Sequence, residues 1–257
     1  LWTVTASWSA RRADGVPLII AHRGASALEP ENSLAAFRRA AADGADGVEL
    51  DVLCCATGEV VVFHDDDLTR LGARPERIDA LSLAALQAVQ LTSGASIPTL
   101  EEVLDACGPR LLVNVELKAA ELGDVALGTL VNRVAALLDA AGASERALVS
   151  SFDPRAVALW RQRAPSVRSA LLFERDGSLP FRRAWTLARL RPFAVHPQQV
   201  LCGPRAVRRW HRRGFRVHVW TVDDPGTLRQ CRDVVVDGII TNDPARARKV
   251  LAEIRRP

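Results

Sequence analysis

Tyrosine and methionine are both absent from this 257-residue chain, and aromatic residues make up only 5% of it. Arginine and alanine are abundant in their place, a skew we read as compositional rather than functional. No segment approaches the roughly 20 consecutive apolar residues that a membrane-crossing helix needs, so stable membrane insertion is not expected. The first residues, Leu1 to Ser9, lack a charged start followed by an apolar run, so no signal peptide is expected in them. The cysteines, Cys54, Cys55, Cys107, Cys202 and Cys231, are odd in number and match no zinc-ligand spacing. A reduced, cytoplasmic setting is the simpler expectation. Basic residues are not concentrated: Arg38-Arg39, Arg182-Arg183 and Arg212-Arg213 are scattered pairs within a net charge of +4. Nucleic-acid binding would need a basic stripe or a known module, so no such partner is expected, although a mild positive excess favours anionic substrates. No Pro-, Gly- or Ser-rich linker divides the chain. One domain over residues 1–257 is expected, with 1–16 as an N-terminal extension. Whether it forms a homo-oligomer is left open.

What the sequence does contain is a regular alternation. Apolar strand-like runs at Leu18–Ala21, Gly47–Val52, Val60–Phe63, Leu111–Leu117, Ala147–Ser150, Arg168–Phe173, Phe193–His196, Phe215–Val222 and Gly238–Thr241 are interspersed with amphipathic helical stretches. Helices are expected at Asn32–Ala42, capped by Asn32 or Ser33, at Leu83–Val89, Leu100–Cys107 and Val125–Ala140, and from Pro154 and Pro244. Trp160 and Trp185 look like helix packing residues. Repeated β-then-α units predict a parallel sheet with crossovers. Pattern alone does not separate a barrel from an open doubly wound sheet. The Gly-rich dinucleotide fingerprint is missing after the first strand, which removes one support for the open form.

Polar residues collect at the carboxyl ends of these runs, where a (β/α) barrel places its chemistry. His22 and Arg23 end the first, Glu49 and Asp51 lie on the second, and His64-Asp65 follow the next. Glu116 and Lys118 come after that, and Trp220 near the end of a late one. Side chains alternate along a strand, so Glu49 and Asp51 share a face, as do Glu116 and Lys118. Charges spaced by two inside apolar strands are expensive unless paired or bound to metal. A structural ion-pair network would explain Glu49 and Asp51 alone. The full set, with two histidines and two cations at separate strand ends, points to a site. Three carboxylates suit one hard divalent cation, Mg2+ or Ca2+. Arg23 and Lys118 suit phosphate oxygens, and two histidines can divide acid and base work.

His22-Arg23-Gly24, Glu31-Asn32-Ser33, Glu49-Leu50-Asp51, His64-Asp65 with Leu68 and Arg70, Pro98-Thr99-Leu100-Glu101-Glu102, Glu116-Leu117-Lys118, Trp220-Thr221-Val222 and Asp237-Gly238-Ile239 occur in that order. Each piece alone is weak. Together, from about Leu18 to the final helix, they resemble the glycerophosphodiester phosphodiesterase family, in its short bacterial, cytosolic form. The resemblance implies a TIM-type (β/α)8 barrel. It implies metal-dependent hydrolysis of glycerophosphodiesters, small-molecule substrates, to sn-glycerol 3-phosphate and an alcohol. By position, Glu49, Asp51 and Glu116 would hold the metal, and His22 and His64 would be the acid–base pair. Arg23 and Lys118 would contact phosphate, and Trp220 would line the substrate side. Glu31 and Asn32 would order a loop, and Asp65 would support a histidine. Asp223 departs from the Asn that the family often carries there, without touching a proposed ligand. The short stretch between His64 and Pro98 implies an open site. A lysophospholipase D or related phospholipase on the same barrel and a noncatalytic phosphate-ligand sensor are the alternatives. Among the other histidines, His218 is expected in the core and His211 on the solvated surface. His196 is read as a lesser candidate to reach a substrate alcohol.

Overall fold

The computed structural model describes residues 7–8, 15–176 and 187–253. The expected packing role of Trp185, and the pair Arg182-Arg183, lie outside the described residues. In chain order the strands are β1 (Leu18–His22), β2 (Gly47–Cys54), β3 (Val60–Val62), β4 (Leu112–Leu117), β5 (Ala147–Ser151), β6 (Arg168–Phe173), β7 (Ala194–Pro197), β8 (Arg216–Val219) and β9 (Gly238–Thr241). All but β3 pair in parallel, each with its successor, and β1 pairs with both β2 and β9. The sheet therefore closes into an eight-stranded parallel barrel with helices between its strands, a TIM barrel.

The described helices are α1 (Leu34–Ala42), α2 (Thr69–Gly72), α3 (Leu83–Gln87), α4 (Leu100–Cys107), α5 (Asp124–Ala140), α6 (Pro154–Arg163), α7 (Leu187–Leu190), α8 (Pro204–Arg212), α9 (Pro225–Asp233) and α10 (Pro244–Ala252). Outward strand residues pack under this ring. Val48, Leu50, Val113 and Val115 meet Phe37, Val103, Leu130 and Trp160 in one cluster, and Val195, Val217 and Ile239 meet Trp210 and Leu251 in another. Trp160 is fully buried, as its helix position predicts. Inward residues near the strand starts, including Leu18, Leu112, Leu148, Ala170 and Ala194, form a third cluster with Trp8. Trp8 is 1% exposed, and its indole N–H donates to the Arg146 carbonyl at 2.8 Å. The amino-terminal end of the barrel is thus filled largely with hydrocarbon, with His218 packed against Trp8, and the inward carboxylates gather at the other end.

One strand departs from the expected alternation. Val60–Phe63 does not continue the parallel barrel. β3 runs antiparallel to β2, pairing Val52 with Val62 and Cys54 with Val60. A parallel crossover needs a dozen or more residues, and the few between Cys54 and Val60 suffice only for a hairpin. β2 overshoots the barrel rim, turns at Gly58, and β3 brings the chain back. The Phe63 N–H then donates to the Asp51 carbonyl at 3.0 Å, which returns His64 to the level of the carboxylates.

The first βα loop is tightly built. Gly24 has φ +80°, and a Cβ there would meet the backbone and Cβ of Ala36 in α1 at 2.6–2.8 Å. Arg23 and Asn32 also take left-handed φ values, +54° and +56°. Asn32 is therefore not the cap of α1; Ser33 is, its hydroxyl accepting from the Ala36 N–H at 3.1 Å. Gly24→Ala should destabilise the protein by about 3 kcal/mol, combining backbone strain with a clash that α1 must move to relieve. Urea unfolding measures this, and a change below about 0.5 kcal/mol would show that the loop relaxes freely.

Candidate active site

The inward carboxylates come together through strand register. Parallel pairing sets Asp51 of β2 beside Glu116 of β4, and His22 of β1 beside Glu49 of β2. Oxygen atoms of Glu49, Asp51 and Glu116 lie within 4.8 Å of one another, and all three residues are buried. Like charges this close, out of water, require compensation.

The compensation is uneven. Arg23 Nε lies 3.3 Å from Asp51 Oδ2, and Lys118 Nζ lies 3.6 Å from Asp51 Oδ1. Asn32 Nδ2 donates to Asp51 Oδ2 at 3.0 Å. Burial alone would raise the Asp51 carboxyl, but Lys118, Arg23, His64 and the Asn32 hydrogen bond outweigh it and hold it below the usual range. Lys118, one of only two lysines in the chain, also donates to Glu116 Oε1 at 3.1 Å. Burial still lifts Glu116 to about 7, with Lys118 opposing and Asp51 adding to the rise. Glu49 is the least supported. Among the described residues its side chain accepts the Arg23 backbone N–H at 3.1 Å, and its one ionisable partner within 4.0 Å is His22, at 3.9 Å. Burial, Asp51 and Glu116 push its carboxyl well above the usual range. Three buried oxygen donors short of positive charge fit a hard divalent cation.

The two histidines on either side of this cluster are wired differently. His22 Nδ1 lies 2.7 Å from Asn242 Oδ1. The Asn242 amide is oriented by Asp223, whose carboxylate accepts from Asn242 Nδ2 at 2.6 Å and from the Asn242 backbone N–H at 2.8 Å. A carboxylate only accepts, so the amide NH2 faces Asp223 and the amide oxygen faces His22. His22 therefore carries its proton on Nδ1 and presents a lone pair on Nε2, the nitrogen nearer Glu49. Burial and Arg23 lower its affinity for a second proton, outweighing Asn242, Asp51 and Asp223.

His64 has a charge behind it instead. Its Nδ1 lies 2.6 Å from Asp65 Oδ1, and Asp65 Oδ2 accepts from Arg70 Nε at 2.7 Å. Arg70 also forks onto Glu31 at 2.6 and 3.1 Å, and Glu31 accepts from Arg23 Nη1 at 2.9 Å. Asp65 stays below the usual carboxylate range; burial opposes this, and the bonds from Arg70 and His64 prevail. A chain of alternating charge thus runs from Asp51 through Arg23, Glu31, Arg70 and Asp65 to His64.

A cavity of about 270 Å³ opens at this end of the barrel, walled by His22, Arg23, Glu49, His64, Glu116, Lys118 and Trp220, and further by Phe152, Leu172, Glu174 and Ile240. Seven of the eight residues singled out in the sequence line it, and Asp51 lies behind its Arg23–Lys118 wall. Trp220 is fixed by its indole N–H, which donates to the His196 carbonyl at 2.7 Å, and by an edge-on contact with Phe152. His196 itself does not reach the cavity. Its ring is fully buried, with Nε2 3.0 Å from His218 Nδ1. His218, a core residue as expected, is lowered to about 4 by burial, with Asp237 opposing and Arg216 assisting. His211 corrects its expectation: it is half-buried, with Nε2 2.7 Å from Asp237 Oδ2, because the last turn of α8 packs over the start of β9.

Asn242, Phe152 and Glu174 were not read from the sequence as site residues. Each falls just past the end of a barrel strand, so the rule that found His22 and Lys118 would also have found them. Asp223, noted only as a departure, acts one residue away, on the partner of His22.

Residues 22–246 match the model of the glycerophosphoryl diester phosphodiesterase family. A glycerophosphodiester phosphodiesterase of Caldanaerobacter subterraneus is 32% identical over 88% of this chain and 94% of its own. A Silicibacter pomeroyi protein superposes with a TM-score of 0.85 at 25% identity, covering 95% of each chain. A glycerophosphodiester phosphodiesterase of Parabacteroides distasonis gives 0.79 at 26% identity, covering 92% of this chain and 97% of that one. The chain belongs to the glycerophosphoryl diester phosphodiesterase family.

Proposed function

We propose that this chain hydrolyses glycerophosphodiesters to sn-glycerol 3-phosphate and an alcohol, with His22 as general base and His64 as general acid. Glu49, Asp51 and Glu116 hold one divalent cation, Mg2+ or Ca2+. The observation that carries this reading is the pair of differently wired histidines facing one cavity across a buried carboxylate cluster.

A bound divalent cation supplies Lewis-acid stabilisation of the phosphoryl oxygens. The remaining roles belong to the chain. Arg23 and Lys118 border the cavity and direct donors at the diester's nonbridging oxygens, offsetting charge that grows in the transition state. Trp220 walls the substrate side. His22, held in one tautomer by Asn242, offers Nε2 to the proton of the attacking nucleophile, either water or the neighbouring glycerol hydroxyl, whose cyclic product water then opens. His64, with the Asp65 carboxylate behind it, is suited to deliver a proton to the departing alkoxide. An alkoxide leaves poorly without that proton, and a positioned acid contributes about 10²–10⁴-fold.

Replacement of His64 by Ala should lower kcat on glycerophosphocholine by about 10²–10⁴-fold, and by far less on an aryl phosphodiester whose leaving group needs no proton. Equal losses on both substrates would remove His64 from the acid role. The paired exchange Asn242→Asp with Asp223→Asn places a carboxylate against His22, avoids setting two carboxylates 2.6 Å apart, and favours the His22 imidazolium. The acid limb of the kcat/KM profile should then move to higher pH by about one unit, and an unmoved limb would show that His22 is not the base. Because Glu49 and Glu116 hold protons above the usual range, protons compete with the cation. Metal affinity measured by calorimetry should fall about tenfold or more between roughly pH 8 and pH 6, with buffer-dependent heats reporting proton release. An affinity independent of pH would place the cation elsewhere.

A further inference from the structure

The catalytic cavity has two neighbours around Lys118. A neck of about 70 Å³, bordered by Asp66, Lys118, Glu121 and Phe152, shares Lys118 and Phe152 with it. A side cavity of about 330 Å³ between the tip of the β2–β3 hairpin and the first turns of α5 shares Asp66, Lys118 and Glu121 with the neck. Lys118 borders all three spaces, and Asp66 and Glu121 border both the neck and the side cavity. The side cavity has an apolar wall made of Leu53, Cys54, Leu122, Ala126 and Leu130. Charges at its border compensate one another: Arg77 lies 3.0 Å from Asp79 and 3.6 Å from Glu121. Val125, next to Ala126 on α5, is 87% exposed. Indeed, of the four large apolar side chains that stand exposed among the described residues, Leu28, Val125 and Val200 all follow barrel strands at the catalytic end.

We infer that the side cavity is a subsite for an apolar alcohol arm, so that the substrates this chain takes best are glycerophosphodiesters whose alcohol carries an alkyl or acyl chain. The inference rests on the hydrolytic reading above and adds a direction to it. A diester held over the carboxylates has two arms. His22, Trp220 and Ile240 bound one side of the cavity, and His64 and Lys118 bound the other. The departing oxygen belongs beside His64, the proton donor. Asp66, two residues on, borders the neck with Lys118, so the alcohol arm leads out past Lys118 into the side cavity. A polar arm gains little from the Leu53–Leu130 wall, whereas each methylene buried there gains hydrophobic stabilisation.

The test is a series of n-alkyl esters of glycerol 3-phosphate, methyl to octyl, assayed with Mg2+ or Ca2+ below their aggregation concentrations. In the unaltered protein kcat/KM should rise about fourfold per methylene until the side cavity is full, and then level off. Ala126→Trp fills the cavity from an exposed helix position, and Ala126→Glu puts a charge into it. Both should flatten the series while leaving the methyl ester within about twofold of the parent, with circular dichroism confirming the fold. Equal turnover of methyl and octyl esters by the parent protein, or a rise that persists in both variants, would overturn the subsite and leave the hydrolase reading intact. Failure to cleave any ester with either metal would overturn that reading and the subsite with it.

Discussion

Burying three carboxylates at one end of a β-barrel is the constraint to which the rest of the site responds. Negative charge held out of water must be matched nearby. Asp51 is matched by Arg23, Lys118 and Asn32, Glu116 chiefly by Lys118, and Glu49 least of the three. The strained backbone of the first βα loop follows from this need. Arg23 takes a left-handed φ so that its N–H reaches Glu49 while its guanidinium reaches Asp51 and Glu31. Gly24 lets α1 press close behind it. What remains unmatched around Glu49 is the demand that a divalent cation would meet.

The antiparallel strand β3 does more than decorate the rim. The β2–β3 hairpin delivers His64 from outside the barrel, packs over its own small core of Leu53, Val61, Phe63, Leu68 and Ile78, and forms one wall of the side cavity. His64 and one wall of the side cavity therefore belong to the same excursion of the chain. Arg70 ties it to the first βα loop through Glu31, so His22 and His64 are joined by charge as well as through the sheet.

Much of this was legible in the sequence because strand geometry is periodic. The spacing of two between Glu49 and Asp51 and between Glu116 and Lys118 set their common faces, and the rule about strand carboxyl ends gathered residues from β1, β2, β4 and β8. The family resemblance raised the barrel above the open sheet, which alternation alone did not. The Thr57-Gly58 turn was legible between the runs that became β2 and β3, whereas the antiparallel direction of β3 was not, because a short apolar run carries no mark of it. Asn242 and Asp223 were missed because their effect is relayed. Neither is costly where it stands, and each gains meaning only when β8, β9 and β1 meet. His211 was misread because helix periodicity says which face is polar, and not what polar group lies under it.

The contact between His22 and Asn242 joins residues 220 positions apart in the chain. During synthesis the three carboxylates emerge within the first half of the chain, and β2 and β4 already pair directly. A nascent barrel lacking its last strand would hold the acidic cluster together, yet its His22 ring would be free to turn. The tautomer of His22 is set only when β9 docks against β1 and carries Asn242 into place. The proposed base is thereby tied to barrel closure, a non-local and slow kind of contact to form. Partly made chains can collect the charge without fixing that ring.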